Sequence, residues 1–510
     1  MSRRPDALAA RIGPVEERSP GPRCSLGLVA FLVVALSCQG SPPPQSAAPI
    51  AASDVLSSAL AAKRLCSGLW VSGRERDEAW EWSASAWLSE RGLSALDAGE
   101  LTFDVDEARQ IVTAQWPHRA TRARFHGSQG CVILPDDSLD VFFNPVEVTT
   151  RLPPAETTPW PMGDQDAVAT ADELADFGID AAALEAAVET AFANEEDGTA
   201  AFVVVHRGRI VAERYGAGAD ASMQLESWSM GKSLTTALVG LLEAQGHLDL
   251  EAPAPVPVWQ NAEDDPRAAI RLIDLLQMSS GLRMTHPSQS SPEELEEAFV
   301  PGWADHSLAY GRAVDAFEFS ESRPLEHPPG TVGRYRNCDP LIAGSIVRRT
   351  VEAMGEEYLS WPQRALFDRI GIRRQVLETD AYGNFVLTGF DYGTGRNWAR
   401  LGMLFLQKGL WQGERLLNES FVEQTATAAP AWDGGRYGFF FWRNGPTLPE
   451  DAFFMNGGGG QQVAVVPSLD AVFVRLGHAK GFPLVGGSGA RERRDQSFGE
   501  VVAVLQKAMQ

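Results

Sequence analysis

The sequence predicts an α+β fold built on an antiparallel sheet flanked by helices, and three observations carry that prediction. Strand-like segments lie early and late in the chain, with helical segments between them. The early unit, "AAFVVVHRGRIVAERYG", is two apolar runs around Arg207-Gly208, a hairpin pattern. The late unit, "QQVAVVPSLDAVFVRLG", is again strand, turn, strand. Hairpins make antiparallel ladders, so the sheet is antiparallel. No internal repeat interrupts this plan.

The chain has 510 residues, enough for one large domain with an appendage or for two or three ordinary domains. It is 44% hydrophobic and 22% charged, as globular proteins are. The net charge of -23 argues against a nucleic-acid partner or an anionic lipid surface, which need basic residues.

Residues 1–38 differ from the rest. Arg3, Arg4, Arg11, Arg18 and Arg23 precede "SLGLVAFLVVALSC". Its apolar run of about a dozen residues fits a signal-peptide core and is short for a transmembrane helix. Ser37-Cys38 resembles a bacterial lipoprotein cleavage site with Cys38 lipidated, although Ala35 stands where Leu is usual. The expectation is export to the periplasm or cell envelope, with membrane attachment only through an N-terminal lipid anchor. Residues 39–52 read as a Pro/Ala/Ser linker.

Residues 53–150 read as a small β-rich extension, from "ELTFDVDEARQIVTAQW" and "DSLDVFFNPVEV". Cys66 and Cys131 are the two cysteines of this segment, and in an exported protein such a pair forms a disulfide. Cys338 reads as a small buried residue. No C-x-x-C or H-x-x-x-H spacing occurs, so neither a metal site nor a cofactor is implied. Residues 151–195 hold a Pro-rich linker and a helix, "DAAALEAAVETAFA". After the first hairpin come four helical runs. They begin at Ser229, at "AIRLIDLLQMSSGL" (stopped by Gly281), at "DPLIAGSIVRRTVEAMG" and at "GRNWARLGMLFLQKGLW". "SFGEVVAVLQKAMQ" is a closing helix.

The chemistry gathers at "SWSMGKS". Ser229 and Lys232 are three apart and share a helix face. A serine hydroxyl needs a base, and lysine can be that base when burial keeps it neutral. Leu234, Ala237 and Leu238 make such burial plausible, and the helix start aims free N–H groups at a developing oxyanion. Alone, the spacing is equally that of a helix cap and a solvated lysine. "SWSMG" is also nearly G-x-S-x-G, but Ser227 replaces the first glycine and no buried strand leads into it. Further on, Tyr335 and Asn337 form Tyr-x-Asn on a loop before a helix, offering a phenol and an amide together. Asn456 precedes four glycines, 457 to 460, which permit close backbone approach to a ligand.

Taken in order, Ser-x-x-Lys, Tyr-x-Asn and the glycine-rich strand resemble the serine β-lactamase and penicillin-binding-protein superfamily. The likeness is greatest to β-lactamase-related hydrolases such as 6-aminohexanoate-dimer hydrolases and β-lactamase-fold esterases. It runs from about residue 196 to the C-terminus and includes "LLQMSSGL", "PPGT", "LETDAYGNFVLTGF" and "GGGGQ". "AAKRLCSGLWVSGR" is similar to the N-terminal extension of some of these hydrolases.

The resemblance implies a sheet domain plus an all-helical part. It implies Ser229 as acylated nucleophile, Lys232 as base and Tyr335 as general acid/base, with Asn337 contacting substrate. Ser229 and a residue near Gly459, within Gly458 to Gly460, would form the oxyanion hole. Asn456 stands where the superfamily usually has Lys or His, which puts activity on β-lactams in doubt. A small ester or amide substrate follows, and Trp228, Phe441 and Trp442 are candidates for an apolar acyl pocket. The alternative is a degenerate fold that binds a ligand or an envelope partner without turnover.

Overall fold

The computed structural model describes residues 50–88, 90–136, 138–216, 218–261, 263–312, 314–478 and 489–510. The leader, Cys38 and most of the expected linker lie outside these residues. Among the described residues, no helix is long and apolar enough to cross a membrane.

The extension begins with a 19-residue helix, α1 (Ala52–Trp70). Four short strands follow: β1 (Thr102–Asp106), β2 (Ile111–Trp116), β3 (Arg119–Phe125) and β4 (Cys131–Ile133). They form one antiparallel sheet in chain order. Ala61, Leu65 and Cys66 of α1 share a small core with Val112, Ala114 and Trp116 of β2. The strand expected from "DSLDVFFNPVEV" does not form. Residues 138–150 run as irregular chain, with Leu139 and Phe142 exposed. Pro145 lacks the N–H a ladder needs, and the Phe142 N–H is given to Ala381 O at 2.8 Å.

The remaining elements begin with α2 (Ala181–Thr190), β5 (Thr199–His206), β6 (Arg209–Tyr215), β7 (Leu225–Glu226) and α3 (Met230–Ala244). Next come α4 (Leu272–Leu276), α5 (Cys338–Ala353), β8 (Val376–Leu377), β9 (Asp391–Gly393) and α6 (Gly395–Leu406). The chain closes with β10 (Trp442–Arg443), β11 (Phe453–Asn456), β12 (Gln462–Val466), β13 (Ala471–Gly477) and α7 (Gly489–Ala508). The main sheet has six strands in the order β10-β11-β12-β13-β5-β6, every pair antiparallel. β5 and β6 turn through Arg207 (φ 48°) and Gly208 (φ 75°), the left-handed pair that a two-residue hairpin requires.

Both faces of this sheet are covered, so every residue of β5 is buried. Phe202 and Val204 point to one face, where they meet Leu184 and Val188 of α2 and Phe498, Val501 and Leu505 of α7. Val203 and Val205 point to the other, into the large core that includes Leu234 and Leu238 of α3 and Met403 of α6. α6 lies close to the sheet because Gly402 has no side chain: a Cβ there would come within 2.6 Å of Val472 Cγ1.

One expected helix is much shorter than its apolar run. α4 ends at Leu276, because Met278 turns left-handed (φ 53°) and Ser279 N–H returns to Asp274 O at 2.8 Å. Gly281 does not stop that helix. A Cβ on it would lie 2.0 Å from His327 O, so its glycine serves a close loop contact instead.

The extension is bolted to the rest by buried charge. Lys63 Nζ lies 2.6 Å from Glu378 Oε2 and also donates to Cys131 O, and both side chains of the pair are buried. Glu378 Oε1 accepts from Ser67 Oγ at 2.7 Å and from the Cys131 N–H at 2.8 Å. Arg64, next along α1, pairs with Glu226 of β7. Cys66 and Cys131 are joined as a disulfide with Cα atoms 6.0 Å apart. Removing one partner of a buried pair strands the other charge. Lys63→Met is therefore expected to cost about 3–5 kcal/mol in a urea melt. Lys63→Met/Glu378→Gln should lose less, and a larger loss in the double variant would contradict this account.

Candidate active site

Ser229 is the N-cap of α3, and Lys232 lies one turn inside it. Lys232 Nζ is 2.8 Å from Ser229 Oγ and 3.2 Å from Thr388 O. Ser229 Oγ lies 3.4 Å from the same carbonyl. The lysine side chain reaches these partners from inside the core and is only 1% exposed. Burial pulls its amine well below the ordinary lysine value, and the one opposing influence is the Asp391 carboxyl. Tyr335, from the loop before α5, places its ring centroid 4.9 Å from Lys232 Nζ. Burial raises the Tyr335 phenol, while a hydrogen bond with Ser229 partly offsets the rise. Hydroxyl, amine and phenol thus meet in one largely dry place.

The turn into Ser229 is strained. Trp228 has φ +55°, a left-handed conformation that costs a residue with a Cβ about 1–3 kcal/mol. Ser227 ties the turn down: its N–H donates to Asp391 O at 2.9 Å and its hydroxyl to Asp391 Oδ1. Asp391 also lies against α3, since a Cβ on Gly231 would fall 2.4 Å from Asp391 Oδ1. Burial lifts this carboxyl to about 7.

The glycine run does not open a strand but joins β11 to β12. Gly457 gives its N–H to Gln461 O at 2.9 Å, and a Cβ on it would be 2.2 Å from Ser227 O. Lack of a side chain is what lets this turn touch the turn into Ser229. Gly459 (φ 71°) and Gly460 (φ 80°) follow, and Arg475 Nη1 holds Gly459 O at 2.6 Å. Asn456 ends β11 beside Gly457, and its Oδ1 accepts from Arg494 Nη1 at 3.2 Å. Arg494 is in turn paired with Asp495, Nη2 to Oδ1 2.6 Å.

Asn337 is fully buried and donates to His306 O at 2.6 Å and to Tyr310 Oη at 2.7 Å. Tyr310 Oη donates in turn to Thr388 O at 2.5 Å. The Asn337 amide therefore braces the wall that carries Thr388, and its Oδ1 is buried with no hydrogen-bond partner. His286 and His306 stack edge to face with centroids 4.3 Å apart, each about 6 Å from the Tyr335 ring. Burial lowers His286 to about 4 and His306 well below its ordinary value, so both are neutral. Sequence reasoning missed both histidines, Tyr310 and Thr388. The "LETDAYGNFVLTGF" segment was singled out, but Thr388 acts through a backbone carbonyl, which leaves no side-chain signature.

Of the three proposed acyl-pocket aromatics, the structure keeps one at the site. Trp442 lies 5.4 Å from the Tyr335 ring. Phe441 is fully buried against Phe405 and Phe453, a core position. Trp228 is buried, with its ring packed against Arg64 and Trp87 of the extension.

A family model described as Beta-lactamase matches residues 184–497. A 6-aminohexanoate-dimer hydrolase of Paenarthrobacter ureafaciens is 25% identical over 299 residues, which are 55% of this chain and 73% of that protein. Among solved structures, a Bacillus anthracis chain assigned as a 6-aminohexanoate-dimer hydrolase aligns at TM-score 0.48 and 21% identity, covering 61% of this chain and 79% of its own. A penicillin-binding protein homologue from Caulobacter crescentus aligns at TM-score 0.47 and 15% identity, covering 64% and 97%. The family match takes in more than half of the residues, both edges of the six-stranded sheet and the Ser229 helix, and this chain belongs to the beta-lactamase family of serine hydrolases.

Proposed function

We propose that this hydrolase cleaves short, uncharged esters or amides through an acyl-enzyme on Ser229. The observation that carries the reading is the 2.8 Å approach of a buried amine, whose proton affinity burial lowers, to the Ser229 hydroxyl. Lys232 takes the Ser229 proton as Oγ attacks the substrate carbonyl carbon. The oxygen becomes an oxyanion, held by the Ser229 N–H at the start of α3 and a glycine N–H of the adjoining turn. Tyr335 relays a proton to the departing alkoxide or amine as the carbon–heteroatom bond breaks. Water then attacks the ester on Ser229, gives up a proton by the reverse route and frees the acid. Asn337 acts in this scheme by fixing the wall opposite Ser229.

The substrate class rests on the third motif, where no free charge stands among the described residues. Asn456 fills that place, and the guanidinium that reaches it is already paired with Asp495. Two neutral histidines and Trp442 add uncharged surface around Tyr335. Kinship with a 6-aminohexanoate-dimer hydrolase fits a small linear acyl substrate. Non-catalytic binding is less well supported, since a degenerate site has no use for a dry lysine aimed at a serine.

With p-nitrophenyl butyrate as substrate, Ser229→Ala should abolish the acylation burst. Lys232→Ala should slow acylation by about 10²–10⁴-fold while the protein still melts cooperatively. Full activity in a folded Lys232→Ala variant would remove lysine from the mechanism.

The pH profile follows from the same charges. Catalysis needs neutral Lys232, so kcat/KM falls on the acid side as the amine takes a proton. The Asp391 carboxylate raises the amine's proton affinity. Asp391→Asn deletes that influence and should move the acid limb to lower pH. A move to higher pH would contradict the assignment.

A further inference from the structure

Part of the support for the nucleophile turn comes from outside the family-matched residues. Trp228 stands directly before Ser229 in its left-handed conformation. The Arg64 guanidinium lies 4.0 Å over the Trp228 ring. The Trp87 ring lies 4.7 Å from Trp228, tilted by 34°. Arg64 also lies 4.3 Å over Trp87 and 4.8 Å over Phe390, so one cation fills a cage of three rings. Its charge reaches back to Glu226, two residues before Trp228. The extension therefore grips the strand leading into the turn and the residue at its apex.

Arg64 cannot drift away from this place. It lies on α1 between Lys63, which is locked to Glu378, and Cys66, which is bonded to Cys131. Trp87 follows on a short helical turn, Ser85–Trp87. The glycine turn is close as well: a Cβ on Gly457 would come 3.1 Å from Trp228 Cβ. Any relaxation of Trp228 therefore disturbs two things at once: the aim of Ser229 at Lys232, and the seating of the glycine turn.

We propose that Arg64 and Trp87 are positioning residues for acyl transfer, holding Trp228 left-handed so that the Ser229 hydroxyl stays against Lys232 and its N–H stays beside the glycine turn. The proposal rests on the reading of Ser229 as nucleophile. It gives the N-terminal extension a part in the chemistry without contact to substrate. Arg64 is a hard residue to vary alone, because its loss leaves the Glu226 carboxylate buried without a partner. Trp87 is only partly buried and makes the cleaner probe.

The experiment measures the rate of fluorophosphonate labelling at Ser229 in the full chain, together with the melting temperature. Wild type that is not labelled at Ser229 would sink the nucleophile assignment itself, and that result appears before any variant is made. With labelled wild type, Trp87→Ala should slow labelling by about tenfold or more, the scale of a strained turn set free. Trp87→Phe, which returns a ring to the Trp228 face, should recover most of the rate.

A second test uses the strain directly. Glycine adopts positive φ without help. In a Trp228→Gly background, Trp87→Ala should therefore change the labelling rate less than twofold. Wild-type labelling in folded Trp87→Ala would overturn the proposal. So would an equal loss with and without Trp228→Gly, which would mark Trp87 as general packing. If Trp87→Ala does not fold, Trp87→Leu takes its place. Leu slower than Phe supports the brace, and equal rates overturn it.

Discussion

A lysine with 1% of its surface exposed is the constraint on which the site depends. An ammonium there would be costly, because burial penalises charge and the one carboxyl acting on it, Asp391, is itself lifted to about 7. Burial therefore shifts the amine toward its neutral form, with Ser229 Oγ and Thr388 O as its neighbours. The fold supplies that dryness. α3 runs through the core between the six-stranded sheet and α5, and its first turn opens where β7, the glycine turn and the Thr388 segment converge.

The architecture explains how distant segments reach one point. β13, near the C-terminus, pairs with β5, from well before Ser229, and so closes the sheet behind α3. The glycine turn hangs from the β11–β12 hairpin, whose register is fixed by four residue pairs. Tyr335 is delivered from another direction, by the loop into α5. Each of these pieces is set by its own packing.

Much of this was legible in the chain. The β5–β6 and β12–β13 hairpins declare themselves by apolar runs around turn residues. Ser229 and Lys232 declare themselves by spacing at a helix start, and Tyr335 by its place before a helix. Other features were hidden for physical reasons. Thr388 contributes a carbonyl, which any residue carries. His286, His306 and Tyr310 come from loops and a short helix, which only the folded chain brings beside Tyr335. Arg64 in an apolar helix reads as a solvated charge until Glu226 and three aromatic rings are seen around it. Phe441 looked like a pocket wall because aromatic residues serve cores and pockets alike. The 138–150 segment looked like strand because its alternation is real, yet Leu139 and Phe142 stay exposed and the Phe142 N–H goes to Ala381 O rather than to a ladder.

The central claim concerns a protonation state, so it is best tested by observing the proton. The chain has only five lysines, which makes its ¹³Cε-lysine NMR spectrum sparse enough to assign, with Lys232→Ala identifying the signal of interest. A Lys232 signal that keeps the neutral-amine shift at pH 8, while exposed Lys408 remains charged, is the predicted result. A Lys232 signal that stays at the ammonium shift up to pH 10 would mean that the amine cannot take the serine proton, and the account would fail.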